Sequence, residues 1–205
     1  DVVISSGQSL VTSTIKIDKK DDIKKEIESI LQQANLYAFN LAKTNKSKYR
    51  RILLIRKDHI ESLEKIIADS RSWVVSIKSA GNILRGENYV YAFPEVILNK
   101  NITRKGEIIA SENISLSNSN SESIRKKIKL LLSSTLAEVK RRGSLSSELK
   151  VNATQINNLG RNLVSTKNGD IQIVAKSIEN TQSADKVSIS IELKYIDKVL
   201  EKDKQ

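Results

Sequence analysis

The chain has 205 residues, of which 39% are hydrophobic, and its 35 Lys and Arg against 24 Asp and Glu give a formal net charge of +11. That length and apolar content can form one large or two small domains around a core. Cysteine is absent, which excludes disulfides, thiolate zinc sites and cysteine nucleophiles, and no apolar run reaches the roughly 18–20 residues of a membrane span.

The first half of the sequence alternates strand and helix patterns. Strands are predicted at residues 2–4, 6–11, 51–55, 73–79 and 89–93. A long helix follows the second of these strands, and its apolar stripe comprises Ile23, Ile27, Ile30, Leu31 and Ala38. A short helix follows the third strand, with Asp58 as candidate N-cap and Ile60, Leu63 and Ile67 on one face.

The second half repeats this pattern. Strands are predicted at residues 101–103, 105–110, 148–151, 171–177 and 186–191. The stripe of the second long helix comprises Ile124, Ile128, Leu131, Leu132 and Val139. Ser119 with Glu122 is its candidate capping box, and Thr154 is the candidate N-cap of a short helix that presents Ile156, Leu159 and Leu163 on one face.

The agreement in order, length and hydrophobic phase of about six elements predicts an internal duplication. We expect an α+β protein in which each half runs roughly β-α-β-α-β-β, with mixed or antiparallel sheets packed with helices. The first repeat covers residues 1–100 and the second 101–205, and 197–205 is a frayed charged tail. The residues expected to be buried in both copies are Ile27, Ile30, Leu31, Val75, Ile77, Ile128, Leu131, Leu132, Ile173 and Ala175.

A different division of the chain is open. From Trp73 onward the predicted order is three strands, a long helix, a strand, a short helix and a strand, which is the order of a ribonuclease-H-like fold. Such nucleases hold two metal ions with carboxylates on the first strand, the long helix and the end of the fourth strand. The first strand here has no acidic residue and the fourth ends in Asn152, so Glu138 alone cannot hold two metals. This fold stays an alternative without catalysis.

Four segments resemble the C-terminal region of a cyanobacterial family, domain of unknown function 3084. They are residues 4–8 (ISSGQ), 73–87 (WVVSIKSAGNILRGE), 105–111 (KGEIIAS) and 124–143 (IRKKIKLLLSSTLAEVKRRG). Members of this family look like membrane proteins with N-terminal hydrophobic helices and a long coiled coil. The resemblance implies that this chain, which begins with neither an initiator Met nor a signal peptide, is a soluble globular head cut from such a protein.

Catalytic residue sets are scarce in the sequence. His59 is the single histidine and has no cysteine partners for a zinc site, so we expect it to be a surface residue. Gly81 and Gly86 have the glycine spacing of a phosphate loop, but Glu87 and Asn88 stand where Lys and Ser or Thr would follow. A hairpin between two strands explains these glycines better.

Basic residues follow both long helices. They are Lys43, Lys46, Lys48, Arg50 and Arg51 in the first half and Lys140, Arg141 and Arg142 in the second. Two readings are open: cations at a helix C-terminus gain about 0.3–1 kcal/mol from the dipole without any ligand, or the duplication displays two anion-binding patches.

These observations favour a non-enzymatic interaction or assembly head of a membrane-tethered coiled-coil protein. The expected partner is another protein or a second copy of the chain, and no cofactor or metal is expected. The alternative is a nucleic-acid-binding module that uses the symmetric basic patches, and acidic lipid is a further anionic ligand of the same kind.

Overall fold

The computed structural model describes residues 1–19, 22–43, 48–118, 120–166 and 169–195. Ser119 and the predicted tail 197–205 lie outside these residues. The fold is α+β, and the chain divides into two units, Asp1–Asn99 and Lys100–Gln205. Each unit has its own apolar core between a four-stranded sheet and its helices.

The first unit contains six strands and two helices among its described residues. They are β1 (Val2–Ile4), β2 (Ser9–Lys16), α1 (Ile23–Ala42), β3 (Leu53–Leu54), α2 (Lys57–Ile67), β4 (Ser72–Ser79), β5 (Ile83–Leu84) and β6 (Val90–Leu98). The main sheet has the order β2-β4-β6-β3. Its pairs are antiparallel except β3 with β6, which are parallel, and β1 pairs separately with β5.

The second unit repeats this topology. Its elements are β7 (Asn101–Thr103), β8 (Ile108–Ser115), a 3-10 turn (Leu116–Asn118), α3 (Ser121–Arg141), β9 (Lys150–Val151), α4 (Ala153–Ser165), β10 (Asp170–Ser177), β11 (Thr181–Gln182) and β12 (Ser188–Tyr195). The main sheet has the order β8-β10-β12-β9, again with a parallel last pair, and β7 pairs with β11. The predicted duplication is confirmed.

Strand pairing contradicts the ribonuclease-H-like division. That division places β4, β6 and the strands after α3 in one sheet. Instead, β4 and β6 pair with β2 and β3 in the first unit, whereas β8 pairs with β10 in the second. The element order was compatible with both divisions, and the hydrogen-bonded partners decide between them.

Turns of the same construction precede the first long strand of each unit. Gly7 (φ 76°) and Gly106 (φ 83°) adopt the left-handed conformation that glycine takes most readily. Their N–H groups donate to the carbonyl oxygens of Ser79 and Ser177, respectively, both at 2.8 Å. Each turn therefore ties the start of the sheet to the end of its central strand.

Predicted helix caps differ from those observed. Arg56 is the N-cap of α2 and makes no capping hydrogen bond, and Asp58 lies inside the first turn, where its carboxylate pairs with Arg56 at 2.7 Å. α3 and α4 begin after Asn120 and Asn152, whose side chains accept a hydrogen bond from the backbone N–H three residues on. Thr154 therefore lies within α4 instead of capping it. The side-chain carbonyls of Asn120 and Asn152 supply the caps, because an Asn at the N-cap position can accept a hydrogen bond from an N–H group of the first turn.

Eight of the ten residues predicted to be core are buried, and the two exceptions are equivalent. Leu31 of α1 and Leu132 of α3 are only partly buried, although each is in contact with its core. Their neighbours Ile30 and Leu131 are 2% and 0% exposed. Both units therefore leave the same edge of the long-helix stripe uncovered.

Asn35 is a buried amide on α1 that fixes the segment entering β3. Its Oδ1 accepts hydrogen bonds from the backbone N–H groups of Ile52 (2.8 Å) and Leu53 (3.0 Å). Its Nδ2 donates to the Tyr49 hydroxyl (3.0 Å) and the Arg50 carbonyl (3.2 Å). All of its hydrogen-bonding capacity is therefore used within the unit.

Replacing Asn35 with alanine should lower the free energy of unfolding by about 2–3 kcal/mol, because two buried backbone N–H groups lose their acceptor. Urea denaturation of the 205-residue chain measures this. Gln33→Ala, an exposed position on the same helix, is the matched control and should change stability by less than about 0.5 kcal/mol. Equal effects of the two substitutions would show that the amide does not hold the segment.

Candidate functional site

Both long helices end on a cation. Lys43 is the C-cap of α1 and Arg142 is the C-cap of α3, where positive charge is favoured by the helix dipole. Lys43 is 9% exposed, and its Nζ donates to Asn88 Oδ1 at 3.2 Å. Burial lowers the pKa of the Lys43 ammonium, and the charge of Arg50 lowers it further.

In the second unit, Arg141 and Arg142 pair with glutamates. Glu138 accepts two hydrogen bonds from Arg141 and one from Arg142, each at 2.8 Å. Arg142 also donates to Glu107 at 2.6 Å. Hydrogen bonds from Arg141 and Arg142 lower the pKa of Glu138 to about 2, and the backbone N–H of Arg104 together with Arg142 lowers the pKa of Glu107. Most of the positive charge predicted here is therefore neutralised locally.

Lys140, the remaining predicted cation of this cluster, is exposed. Its Nζ donates to the Leu145 carbonyl at 3.4 Å, and it forms no ion pair among the described residues.

In the first unit the cations remain without acidic partners among the described residues. Lys48, Arg50 and Arg51 are exposed, and Arg50 Nη2 donates to Asn88 Oδ1 at 2.7 Å. Lys46 lies outside the described residues. The structure thus brings Lys43 and Arg50 together on one asparagine oxygen. The first predicted patch keeps cations without acidic partners among the described residues, whereas most cations of the second are paired with glutamates.

His59 and the two glycines of the candidate phosphate loop have structural environments. His59 is partly exposed beside Phe93 and Pro94, and its Nδ1 lacks a hydrogen-bond partner among the described residues. Gly81 and Gly86 lie between β4 and β6, which pair antiparallel. The hairpin reading of this segment is therefore confirmed.

A groove of about 710 Å³ lies between α3 and α4 of the second unit. Its floor is apolar and includes Ile124, Ile128, Leu132, Ile156 and Val164. Val164 is 47% exposed and Leu132 is partly buried, so this apolar surface contacts solvent.

The rim of the groove is basic. Arg125 and Lys129 on α3 and Arg161 on α4 contribute three positive charges, and none of the described residues that line the groove is acidic. All three side chains are exposed, and none forms an ion pair with a described residue. Arg125 and Lys129 are four positions apart and so lie on the same face of α3.

The first unit has a related groove of about 450 Å³ between α1 and residues 49–55, to which α2 contributes Glu64. Leu31 lies on its floor, as Leu132 does in the second unit. Its charged lining residues are Lys24, Glu28, Arg51 and Glu64, which sum to zero. The two grooves therefore share the same face of the long helix but differ in their second wall, size and charge.

Sequence reasoning missed these grooves because it assigned Leu31 and Leu132 to the core. The available signal was the second apolar column of each long helix, one residue beyond the column that faces the sheet. Leu31 and Leu132 each follow the buried residue of the first column and point about 100° away from it, toward the edge of the covered face. The sequence pattern could therefore have indicated that Leu31 and Leu132 are not fully covered by the rest of their units.

Two classes of site are not represented among the described residues. No group of three His, Asp or Glu side chains there is arranged to hold a metal ion. In the same part of the chain, none of the helices has both the length and the apolar character required to cross a bilayer.

Comparison with known proteins gives one informative match. The chain is 30% identical over 131 residues to the uncharacterized protein alr4393 of Nostoc sp., and the match covers 63% of this chain and 26% of that protein. The chain thus spans about a quarter of the length of this relative. No protein-family model and no solved structure matches the chain.

Acid should destabilise the chain through Glu138. Its pKa is lowered from 4.5 to about 2 in the folded chain, so its stabilisation is complete above pH 4.5 and is lost as the pH falls toward 2. We expect the urea midpoint of Glu138→Gln to be lower than that of the original chain at pH 6 and to fall less between pH 5 and pH 2.5. Asp18→Asn, which replaces an exposed carboxylate outside the helices, is the control and should follow the curve of the original chain. Parallel curves for all three proteins would contradict the assignment.

Proposed function

We propose that this chain is a non-enzymatic interaction or assembly module, the globular head of a membrane-tethered coiled-coil protein. The observation that carries the proposal is the pair of related grooves, each along the same face of a long helix and each floored in part by apolar side chains. Apolar grooves between helices are common binding surfaces for protein segments. The expected occupants are segments of another protein or of a second copy.

Retention of the groove in both halves of one chain supports this proposal. Leu31 and Leu132 hold the same position in two units whose loops and charges have diverged. A partly exposed leucine stabilises an isolated unit less than a buried one. Its presence at both positions is therefore better explained by a binding surface than by the stability of each unit.

The match to the Nostoc protein is compatible with a head that forms one part of a longer protein. The matched segment accounts for 26% of that relative. Attachment to a coiled coil and a membrane rests on the resemblance of the four sequence segments to the domain of unknown function 3084 family.

Site-specific photocrosslinking in the source cells tests this function. A photoreactive phenylalanine analogue at Leu31 or Leu132 should give a discrete adduct heavier than the chain itself, identified by mass spectrometry as a specific protein or a second copy. Gln33 and Lys126, exposed positions on the same two helices, are the matched controls and should give no such adduct. Absence of adducts from both leucines, or equal adducts from all four positions, would exclude the proposed function.

A second candidate is nucleic-acid binding, and the free cations of the first unit favour it. Lys48, Arg50 and Arg51 are exposed without acidic partners among the described residues, whereas Arg141 and Arg142 are paired with glutamates. Phosphate recognition requires cations that are free to bind the nucleic-acid backbone. A topology reporter fused to the C-terminus of the parent protein helps to choose between the two candidate functions. A location outside the cytoplasm would disfavour nucleic acid as the ligand.

Salt dependence distinguishes this candidate. If the first unit binds phosphates, affinity for duplex or single-stranded nucleic acid should fall steeply with salt. Arg50→Gln with Arg51→Gln should then reduce the salt slope by about one unit for each phosphate that the protein no longer neutralises. The pair Arg141→Gln with Arg142→Gln should change the slope less, because those guanidinium groups already bind carboxylates. Fluorescence anisotropy titrations measure both. No binding at low salt would exclude this candidate.

A further inference from the structure

The groove between α3 and α4 combines an apolar floor with unbalanced positive charge. Leu132 and Val164 expose apolar surface on its floor. Arg125, Lys129 and Arg161 surround the floor, and none of the described lining residues is acidic. Charges on partly apolar surfaces interact more strongly than charges surrounded by water. The complementary ligand therefore has an apolar face and flanking negative charges.

Gly160 provides a second, independent indication. It lies in the interior of α4, where glycine is less favourable than alanine. Packing does not require it, because a Cβ there would meet only Ile128 Cδ1 at 3.9 Å, which is an ordinary contact. The equivalent position in α2 is Glu64, which lines the smaller groove. Glycine therefore widens the second groove and lets a ligand approach the backbone of α4.

The groove is also elongated. Leu132 is shared with an adjoining depression of about 350 Å³ lined by Leu136, Leu149 and Val151. The α3 residues that line the groove and the depression extend from Ile124 to Leu136, about 18 Å or more than three helical turns. Glu148 borders the depression but is paired with Lys186 at 2.6 Å.

The two units differ in what lines this end of the groove. Leu136 is the equivalent of Asn35, and Asn35 holds the segment before β3 against α1 through its hydrogen bonds. A leucine cannot make these bonds, and Leu136 is only partly buried. At this position the second unit therefore has an apolar, partly exposed leucine, whereas the first has a buried amide bonded to the backbone.

We propose that the α3–α4 groove binds an acidic amphipathic helix of a partner protein. This inference rests on the proposed interaction function and specifies the partner's chemistry. A helix presents apolar residues at i, i+3, i+4 and i+7 along its length, which matches a straight groove of about three turns. Carboxylates beside that stripe would pair with Arg125, Lys129 and Arg161.

An extended groove with cations on both walls favours a helix over a single-headgroup lipid. One headgroup can neutralise charge at one point, whereas the basic residues lie on two helices and on successive turns of α3. A half-open groove also leaves one side of an acyl chain in water. A helix would direct its polar face to that side.

The test uses the intact 205-residue chain and a labelled synthetic helix of about 18 residues with leucines at helical spacing and flanking glutamates. A peptide with lysines replacing the glutamates is the charge control, and dodecanoate and phosphatidylglycerol vesicles are the lipid probes. Anisotropy should show saturable binding of the acidic peptide and at least about tenfold weaker binding of the basic peptide.

Three sets of variants locate the site. Arg125→Gln, Lys129→Gln and Arg161→Gln together should weaken binding of the acidic peptide about tenfold. Gly160→Glu, which introduces the residue found in the first unit, should weaken it at least as much. Lys25→Gln with Lys126→Gln, exposed cations on α1 and α3 that line neither groove, is the matched control and should leave affinity unchanged. Thermal unfolding should show that Gly160→Glu is folded, since glutamate favours helix more than glycine.

Several outcomes would overturn the inference. One is equal binding of the acidic and basic peptides, and another is unchanged affinity for the acidic peptide in both second-groove variants. A third is that the peptide does not bind, whereas lipid binds saturably and these variants abolish lipid binding. Photocrosslinks from Leu132 without acidic-peptide binding would reject this inference and leave the proposed function intact. Absence of crosslinks from both leucines would instead reject the proposed function.

Discussion

The apolar stripe of each long helix is wider than the sheet that covers it, and much of the fold depends on this mismatch. Ile30 and Leu131 face the sheet and are buried, whereas the next residues, Leu31 and Leu132, point about 100° away. The short helix of each unit covers part of the remaining stripe. A groove is left wherever the short helix does not reach.

The position of the short helix is in turn set by the strand before it. In the first unit, Asn35 binds the backbone of Ile52 and Leu53 and so fixes the segment that leads to α2. In the second unit, Leu136 takes that place and makes no such bonds. The same topology thus gives a narrow, electrically neutral groove in one copy and a wider, basic one in the other. Duplication preserved the backbone arrangement while single residues changed the surface.

Much of the fold could be predicted because it depends on local periodicity repeated twice. The helices, the strand order along the chain and eight core positions follow from the hydrophobic phase. The length of β6 could not be read from the sequence, since Pro94 is tolerated in the strand opposite Ile77 and the strand continues to Leu98. The pairing of strands within each sheet could not be predicted either, because hydrophobic periodicity identifies a strand but not the strand beside it.

The candidate site was harder to predict because whether a charged side chain is free to bind a ligand depends on which residues surround it. Arg141 and Arg142 suggested an anion-binding patch, but Glu138 lies three and four positions earlier on the helix and binds both. That spacing was visible in the sequence and favours ion pairing. The additional pairing of Arg142 with Glu107 was not visible, since those residues are far apart in the chain.

Arg125, Lys129 and Arg161 show the opposite case. They attract little attention in the sequence because they are dispersed over two helices, yet the fold places them around one apolar surface without a countercharge among the described lining residues. A net charge of +11 therefore says less about binding than the distribution of unpaired cations. Where cations and carboxylates alternate on a helix, the charge is largely consumed within the protein. Where cations border an uncovered apolar groove, they remain available to an external anionic partner, and a partner that also covers the apolar floor would gain from both.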